Sequence, residues 1–149
     1  EPFELYKAVL KNKHDIKLTV YSQTTDNYFL PPDNEKIEYR NSIAQDLLFE
    51  KYYYSDIIVS IDNLYGIQVP GKTIELLAFS RPVLFIYEND KSPALQYIKI
   101  QPGIFATRNN PDSIERTISE IIETGLLNYN RDISKYYWSN LFSRMDEKI

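Results

Sequence analysis

Cysteine is absent from this 149-residue sequence, histidine occurs once, and glycine occurs only four times. Without cysteine the chain can form no disulfide and offers no thiolate to a metal ion. The single histidine, His14, lies in a polar stretch and has no second histidine to share a metal, so we interpret it as a solvated turn residue. The sequence also lacks the Walker, G-x-G-x-x-G and G-x-S-x-G patterns, and with them the signatures of three common α/β chemistries.

Long apolar runs and an excess of positive charge are missing as well. No apolar run approaches the roughly 20 residues that cross a bilayer, and the start of the chain does not resemble a signal peptide. The formal net charge of −4 argues against a broad surface for nucleic acid or anionic lipid. We therefore expect a cytoplasmic protein with at most peripheral membrane association and no nucleic-acid partner.

The apolar residues recur with the period of a helix in some segments and with the pattern of a strand in others. It predicts helices over residues 3–12, 43–54, 72–79 and 133–146 and from residue 110 onward, and strands over residues 16–21, 36–40, 57–61, 83–87 and 103–107. The continuous runs Ile57–Ile61 and Val83–Tyr87 are typical of strands buried on both faces. In the third helix we expect Ile74, Leu77 and Ala78 to face the core. Alternating strands and helices predict one α/β domain over residues 1–149, with a mostly parallel sheet covered on both faces.

The segment after Ile61 is the most informative for function, because parallel sheets bind ligands beyond the carboxyl ends of their strands. It contains Gly66 and Gly71 and ends where a helix begins, so its backbone N–H groups favour phosphate. Lys72 adds positive charge, and Glu75, one turn on, can accept hydrogen bonds from sugar hydroxyls. These residues also fit an ordinary turn, a solvated lysine and a glutamate that complements the helix dipole.

Two segments of the sequence resemble a known protein family. A helix ends in Ser55-Asp56 before an apolar strand, and the segment VPGKTIELLAFSRPVL follows at residues 69–84. Together they resemble the C-terminal domain of GT-B glycosyltransferases, most closely the bacterial family 4-like enzymes of surface polysaccharide synthesis. Asn109-Asn110-Pro111 before an amphipathic helix fits the same pattern, as does the closing helix rich in Tyr and Trp. The resemblance covers nearly the whole chain.

The resemblance implies a Rossmann-like three-layer α/β/α domain that binds a nucleotide-diphosphate sugar as donor substrate, with no other cofactor and no metal. Glu75 would hydrogen-bond the ribose hydroxyls. The loop Gly66–Lys72, which includes Gln68 and Gly71, would lie beside the diphosphate and the donor sugar, and the loop from Arg40 to Ile43 beside the base. Transfer to a glycan or lipid-linked acceptor would need an N-terminal GT-B domain, so this part alone would be inactive.

Three departures from the family pattern stand out. Ile67 occupies the position of a second glutamate that many retaining members carry, and Ser80-Arg81-Pro82 replaces the usual Gly-x-Pro. In the family a central strand, absent from these residues, precedes the helix found here at 3–12. A non-catalytic α/β module, such as a receiver-like signalling domain, is the alternative. Asp56 and Asp62 flank a buried strand, but no acidic pair follows the first strand, where Ser22 stands.

Overall fold

The computed structural model describes residues 2–23, 34–63 and 71–132. Helices and strands alternate along this part of the chain. They are α1 (Phe3–Lys11), β1 (Leu18–Ser22), β2 (Ile37–Asn41), α2 (Gln45–Tyr54), β3 (Ile58–Ile61), α3 (Gly71–Leu76), β4 (Val83–Tyr87), α4 (Pro93–Ile98), β5 (Ile104–Arg108) and α5 (Pro111–Thr124). The predicted α/β class, with parallel strands and a Rossmann-like arrangement, is confirmed.

All strand pairs in the described ranges are parallel, and they form two ladders. β1 pairs with β2, with Leu18 opposite Ile37. The second ladder has the order β3-β4-β5, with Val83 of β4 between Ile58 and Ile104. No ladder bonds connect β1 or β2 to β3 in this part of the chain.

The core lies on both faces of β4, whose side chains alternate between the two helix layers. Leu84 and Ile86 pack against α1 and α5, in a cluster that also contains Ile37 and residues of β1 and β3. Val83 and Phe85 point the other way, toward α3 and α4. Because one helix layer covers parts of both ladders, the two belong to one three-layer arrangement.

The burial predictions held for one strand and failed for the other. Of the predicted run Val83–Tyr87, Val83–Ile86 is buried as expected, and Tyr87 is half-buried. In β3, only Ile58 is buried; Val59 and Ser60 are half-buried, and Ile61 is 36% exposed. The prediction that Ile57–Ile61 is almost fully buried was therefore wrong. β4 has a strand on each side, whereas β3 has a described strand on one side only, and this leaves its residues open to solvent.

The helix predictions need two corrections. α3 is shorter than expected, because it ends at Leu76. Turns follow it, in which each N–H donates to the carbonyl oxygen three residues earlier. Its inward side chains are Thr73, Leu76 and Leu77, while Ala78 is exposed. The helix α4 was not predicted, although Ser92 caps it in the same way as Asn110 caps α5. The helix expected at residues 133–146 lies outside the described residues.

Residues 126–132, here called the strap, cross the amino-terminal ends of β4 and β5. The Tyr129 N–H donates to the Ser80 carbonyl oxygen at 2.6 Å. The guanidinium of Arg131 donates to four backbone carbonyl oxygens, those of Phe79, Arg81, Pro102 and Gly103. Burial lowers the pKa of Arg131 from its ordinary value, yet arginine remains charged at any ordinary pH. The strap is therefore held mainly by charge-assisted hydrogen bonds to the main chain.

Candidate functional site

The candidate site lies at the carboxyl ends of the strands, where helices on opposite faces diverge. β3 leads to α3, which packs with β4 on one face, whereas α1 and α5 pack on the other. Asp62 continues β3, and its backbone N–H donates to the carbonyl of Ile86 at 2.8 Å. The chain returns from the top of β3 to α3, which begins at Gly71.

Lys72 and Glu75, the two charged residues predicted to bind the donor, are both exposed on α3. Neither side chain forms a hydrogen bond or ion pair with another described residue. Thr73 and Leu76 of the same helix are buried and fix its orientation on the sheet. Among the described residues, this helix therefore presents an unpaired cation and an unpaired carboxylate to solvent, one turn apart.

Glu75 interacts electrostatically with Tyr52 of α2. Burial raises the pKa of the Tyr52 phenol, and the negative charge of Glu75 raises it further. Tyr52 packs in an aromatic cluster with Phe49 and Phe79, with ring centroids 5.4 to 6.4 Å apart. This cluster packs against Leu76 of α3.

The loop predicted to bind phosphate is described only at its carboxyl end. Residues 64–70, including Gly66 and Gln68, lie outside the described residues, so the predicted cradle of N–H groups stays a prediction. Gly71 does not have positive φ, and a Cβ placed on it would meet no described atom within 4 Å. Neither the backbone nor the described neighbours therefore require glycine at this position.

The two residues predicted to lie near the base are in β2, which belongs to the other ladder, and in the segment that follows it. Arg40 is exposed near the carboxyl end of β2, where its guanidinium contacts Glu38 Oε1 at 2.6 and 2.9 Å. Lys17 also binds Glu38, and these two cations lower the pKa of its carboxyl group. Ile43 is half-buried in the segment between β2 and α2. Arg40 is therefore already paired with a carboxylate, unlike Lys72.

A polar cluster that the sequence reasoning did not single out follows β4 and β5. Asn109 Nδ2 donates to Glu88 Oε1 at 2.8 Å, and Arg108 forms an ion pair with Asp90. The Arg108 guanidinium also lies 5.9 Å from the centre of the Tyr87 ring. In the sequence, this cluster could have been found from the change from apolar residues to charged and amide residues at the end of each strand. The charged groups of this cluster therefore bind one another. Among the described residues, the side chains of Lys72 and Glu75 have no such partner.

Comparison with known proteins returned no matching family model, no matching curated protein and no matching solved structure. Within the described ranges, no helix combines the length and the apolar character needed to cross a membrane. The functional interpretation therefore depends on the fold and on the chemistry of the residues at its carboxyl edge.

Proposed function

We propose that this chain is the donor-binding domain of a glycosyltransferase that uses a nucleotide-diphosphate sugar. The observation that carries the proposal is the exposed pair on α3: Lys72 and Glu75, one turn apart and unpaired among the described residues. They follow β3, at the edge where Rossmann-like sheets bind nucleotides. A cation for the diphosphate and a carboxylate for the ribose are the two groups that such a ligand requires.

Each residue has a distinct role in this proposal. The Lys72 ammonium neutralises charge on the diphosphate, including charge that develops as the sugar departs. Glu75 accepts hydrogen bonds from the two vicinal ribose hydroxyls, and its charge makes these bonds stronger than neutral ones. Gly66, Gln68 and Gly71 line the approach of the phosphates. The domain positions the donor, and a second domain brings the glycan or lipid-linked acceptor.

The neighbouring elements are compatible with this arrangement. No described residue crowds Gly71 at the first turn of α3. Arg40 and Ile43, on the β2 side, are proposed to lie toward the base, which would require Arg40 to share its contact with Glu38. We further propose a cytoplasmic location with at most peripheral membrane association. The receiver-like alternative gains no support, since Ser22 ends β1 where that alternative needs an acidic pair.

The test is a calorimetric titration of UDP, GDP and ADP sugars into the longest natural polypeptide that contains this chain. Glu75→Gln should weaken binding of the preferred donor by about ten- to hundredfold, because ribose hydroxyls lose a charged acceptor worth about 1–3 kcal/mol. Lys72→Gln should weaken binding of the same donor, because the diphosphate loses a cation.

Matched controls are available on other helices. Glu120 is exposed on α5 and Lys99 is exposed at the C-terminal end of α4, so Glu120→Gln and Lys99→Gln change the same charges away from the site. Both should leave the dissociation constants unchanged. Equal dissociation constants for wild type and Glu75→Gln would refute the ribose role, and absence of binding for every sugar nucleotide would refute the proposed function.

A further inference from the structure

Two large apolar side chains remain exposed on the outer side of α4. The helix packs on the sheet through residues that include Leu95 and Ile98. Tyr97 is 46% exposed, and Ile100, in the turn that follows the helix, is 70% exposed. Because Lys99 at the start of this turn has helical dihedral angles, Ile100 lies about one turn beyond Tyr97 on the same side. Tyr97 and Ile100 are here called the α4 ridge.

The strap ends beside this ridge. Arg131 Nε donates to the carbonyl oxygen of Pro102 at 2.7 Å, and the same guanidinium donates to the carbonyl oxygen of Gly103 at 3.2 Å. Pro102 follows Ile100 by only two residues. These charge-assisted bonds therefore hold Asp132, where the described part of the chain ends, close to the exposed end of the α4 ridge.

The last 17 residues of the chain have the apolar pattern of an amphipathic helix. In the helix that the sequence predicts there, Tyr137, Leu141 and Met145 recur every four residues. Trp138 and Phe142 follow two of them and widen the apolar side. A helix of this length extends over about 20 Å, which exceeds the length of the six-residue α4. An apolar side of this size is stabilised when another apolar surface covers it.

The tether favours the α4 ridge over the other exposed apolar residues. Tyr53, Tyr54 and Leu127 form a second exposed group, in which Arg81 donates to the carbonyl oxygens of Tyr53 and Leu127. That group lies at the start of the strap, so the last residues of the chain would have to turn back to reach it. A short tether gives an effective concentration of about 1 mM at a nearby surface, and the α4 ridge is the apolar surface at the end of the strap.

We propose that the α4 ridge is the docking surface for residues 133–149 of the same chain. The apolar side of this segment, with Trp138 and Leu141, covers Tyr97 and Ile100. The strap positions the segment, and burial of apolar surface on both partners stabilises the contact. This contact does not depend on a ligand at the carboxyl edge of the sheet, so its test is separate from that of the proposed function.

Trp138 reports on the contact because it is the only tryptophan of the 149-residue chain. Docking should shift its fluorescence emission to shorter wavelength and protect it from acrylamide, relative to a synthetic peptide of residues 133–149. Ile100→Asp places a charge in the ridge and should lower the docked population at least about tenfold, the effect of losing one buried isoleucine side chain. Emission and quenching should then move toward the values of the free peptide.

Leu47→Asp is the matched control, because Leu47 is 48% exposed on α2. It should leave the emission and quenching of Trp138 unchanged. The proposal is wrong if Trp138 in the wild-type chain is as accessible to acrylamide as in the free peptide, or if the two aspartate variants have the same effect. An emission that changes on dilution would show that a second copy provides the contact, and this result also overturns the proposal.

A spin label locates the docked segment while Tyr97 and Ile100 stay intact. The chain has no cysteine, so Lys99→Cys introduces a single attachment point beside the ridge, and Arg116→Cys introduces one on α5. The label at position 99 should broaden the NMR signal of the Trp138 indole N–H. The label at position 116 should broaden it much less, because α5 lies on the other face of the sheet. Equal broadening from both positions, or none from either, would contradict the proposal.

Discussion

The strap gives the most quantitative prediction, because a single side chain carries most of its hydrogen bonds. Arg131 donates to four carbonyl oxygens, with distances of 2.7 Å to Pro102, 2.8 Å to Arg81 and 3.2 Å to Gly103, and a further bond to Phe79. Those carbonyls belong to the segments that enter β4 and β5. Arg131→Met keeps much of the aliphatic side chain and removes every donor.

The expected magnitude follows from the number of bonds. Four hydrogen bonds at about 0.5–1.5 kcal/mol each would stabilise the fold by about 2–6 kcal/mol. These are net values from mutational series, so they already include the entropy of ordering the side chain, and we expect a loss of about 2–6 kcal/mol in the free energy of unfolding. Arg131→Lys should fall between Met and wild type, since one ammonium group cannot span carbonyls that the planar guanidinium reaches together.

Urea unfolding followed by circular dichroism measures this loss, provided that the slope with denaturant is unchanged. Arg116→Met is the control, because Arg116 is exposed on α5; it should change the free energy of unfolding by no more than about 0.5 kcal/mol. Equal losses for Arg131→Met and Arg116→Met would show that the strap contributes nothing through these carbonyls, and the reasoning would be refuted.

Four further substitutions test the backbone and the surface charges. Gly103→Ala should destabilise the chain by more than about 2 kcal/mol, because its φ is 74° and a Cβ would overlap the aromatic ring of the strap. Gly71→Ala, in a helix with open space around it, should be neutral or stabilising by up to about 1 kcal/mol; similar urea midpoints for the two variants would contradict this. Asn110→Ala should cost about 0.5–2 kcal/mol in thermal unfolding, because its side chain accepts the capping N–H bond at 2.8 Å, and an unchanged Tm would exclude the cap. Lys17→Gln should raise the pKa of Glu38, which this lysine holds below its ordinary value. The pairing stabilises the fold above the ordinary carboxyl pKa and is lost as the pH falls through the lowered one, so an NMR titration that shows no shift would contradict it.

Features that depend only on neighbouring residues could be predicted from the sequence. The apolar run of β4 predicted a strand buried on both faces, and Val83–Ile86 is buried. Asn110 before Pro111 predicted the start of α5, where the Asn110 side chain caps the Ser113 N–H. Caps and continuous apolar runs are local signals, so the periodicity and residue types within one turn or one strand are sufficient to reveal them.

Features that depend on distant parts of the chain were decided only by the tertiary structure. The apolar residues of β3 form a continuous run like those of β4, yet Ile61 is exposed. The burial of a strand depends on what lies beside it in the sheet. Nothing near Arg131 in the sequence indicates that its donors meet carbonyls 28 to 52 positions away. At the candidate site, residue type suggested Lys72 and Glu75. Only the packing showed that both are exposed and unpaired among the described residues, whereas Arg40 is paired with Glu38. The partners of a side chain are set by how the strands assemble, and short-range periodicity contains no information about that assembly.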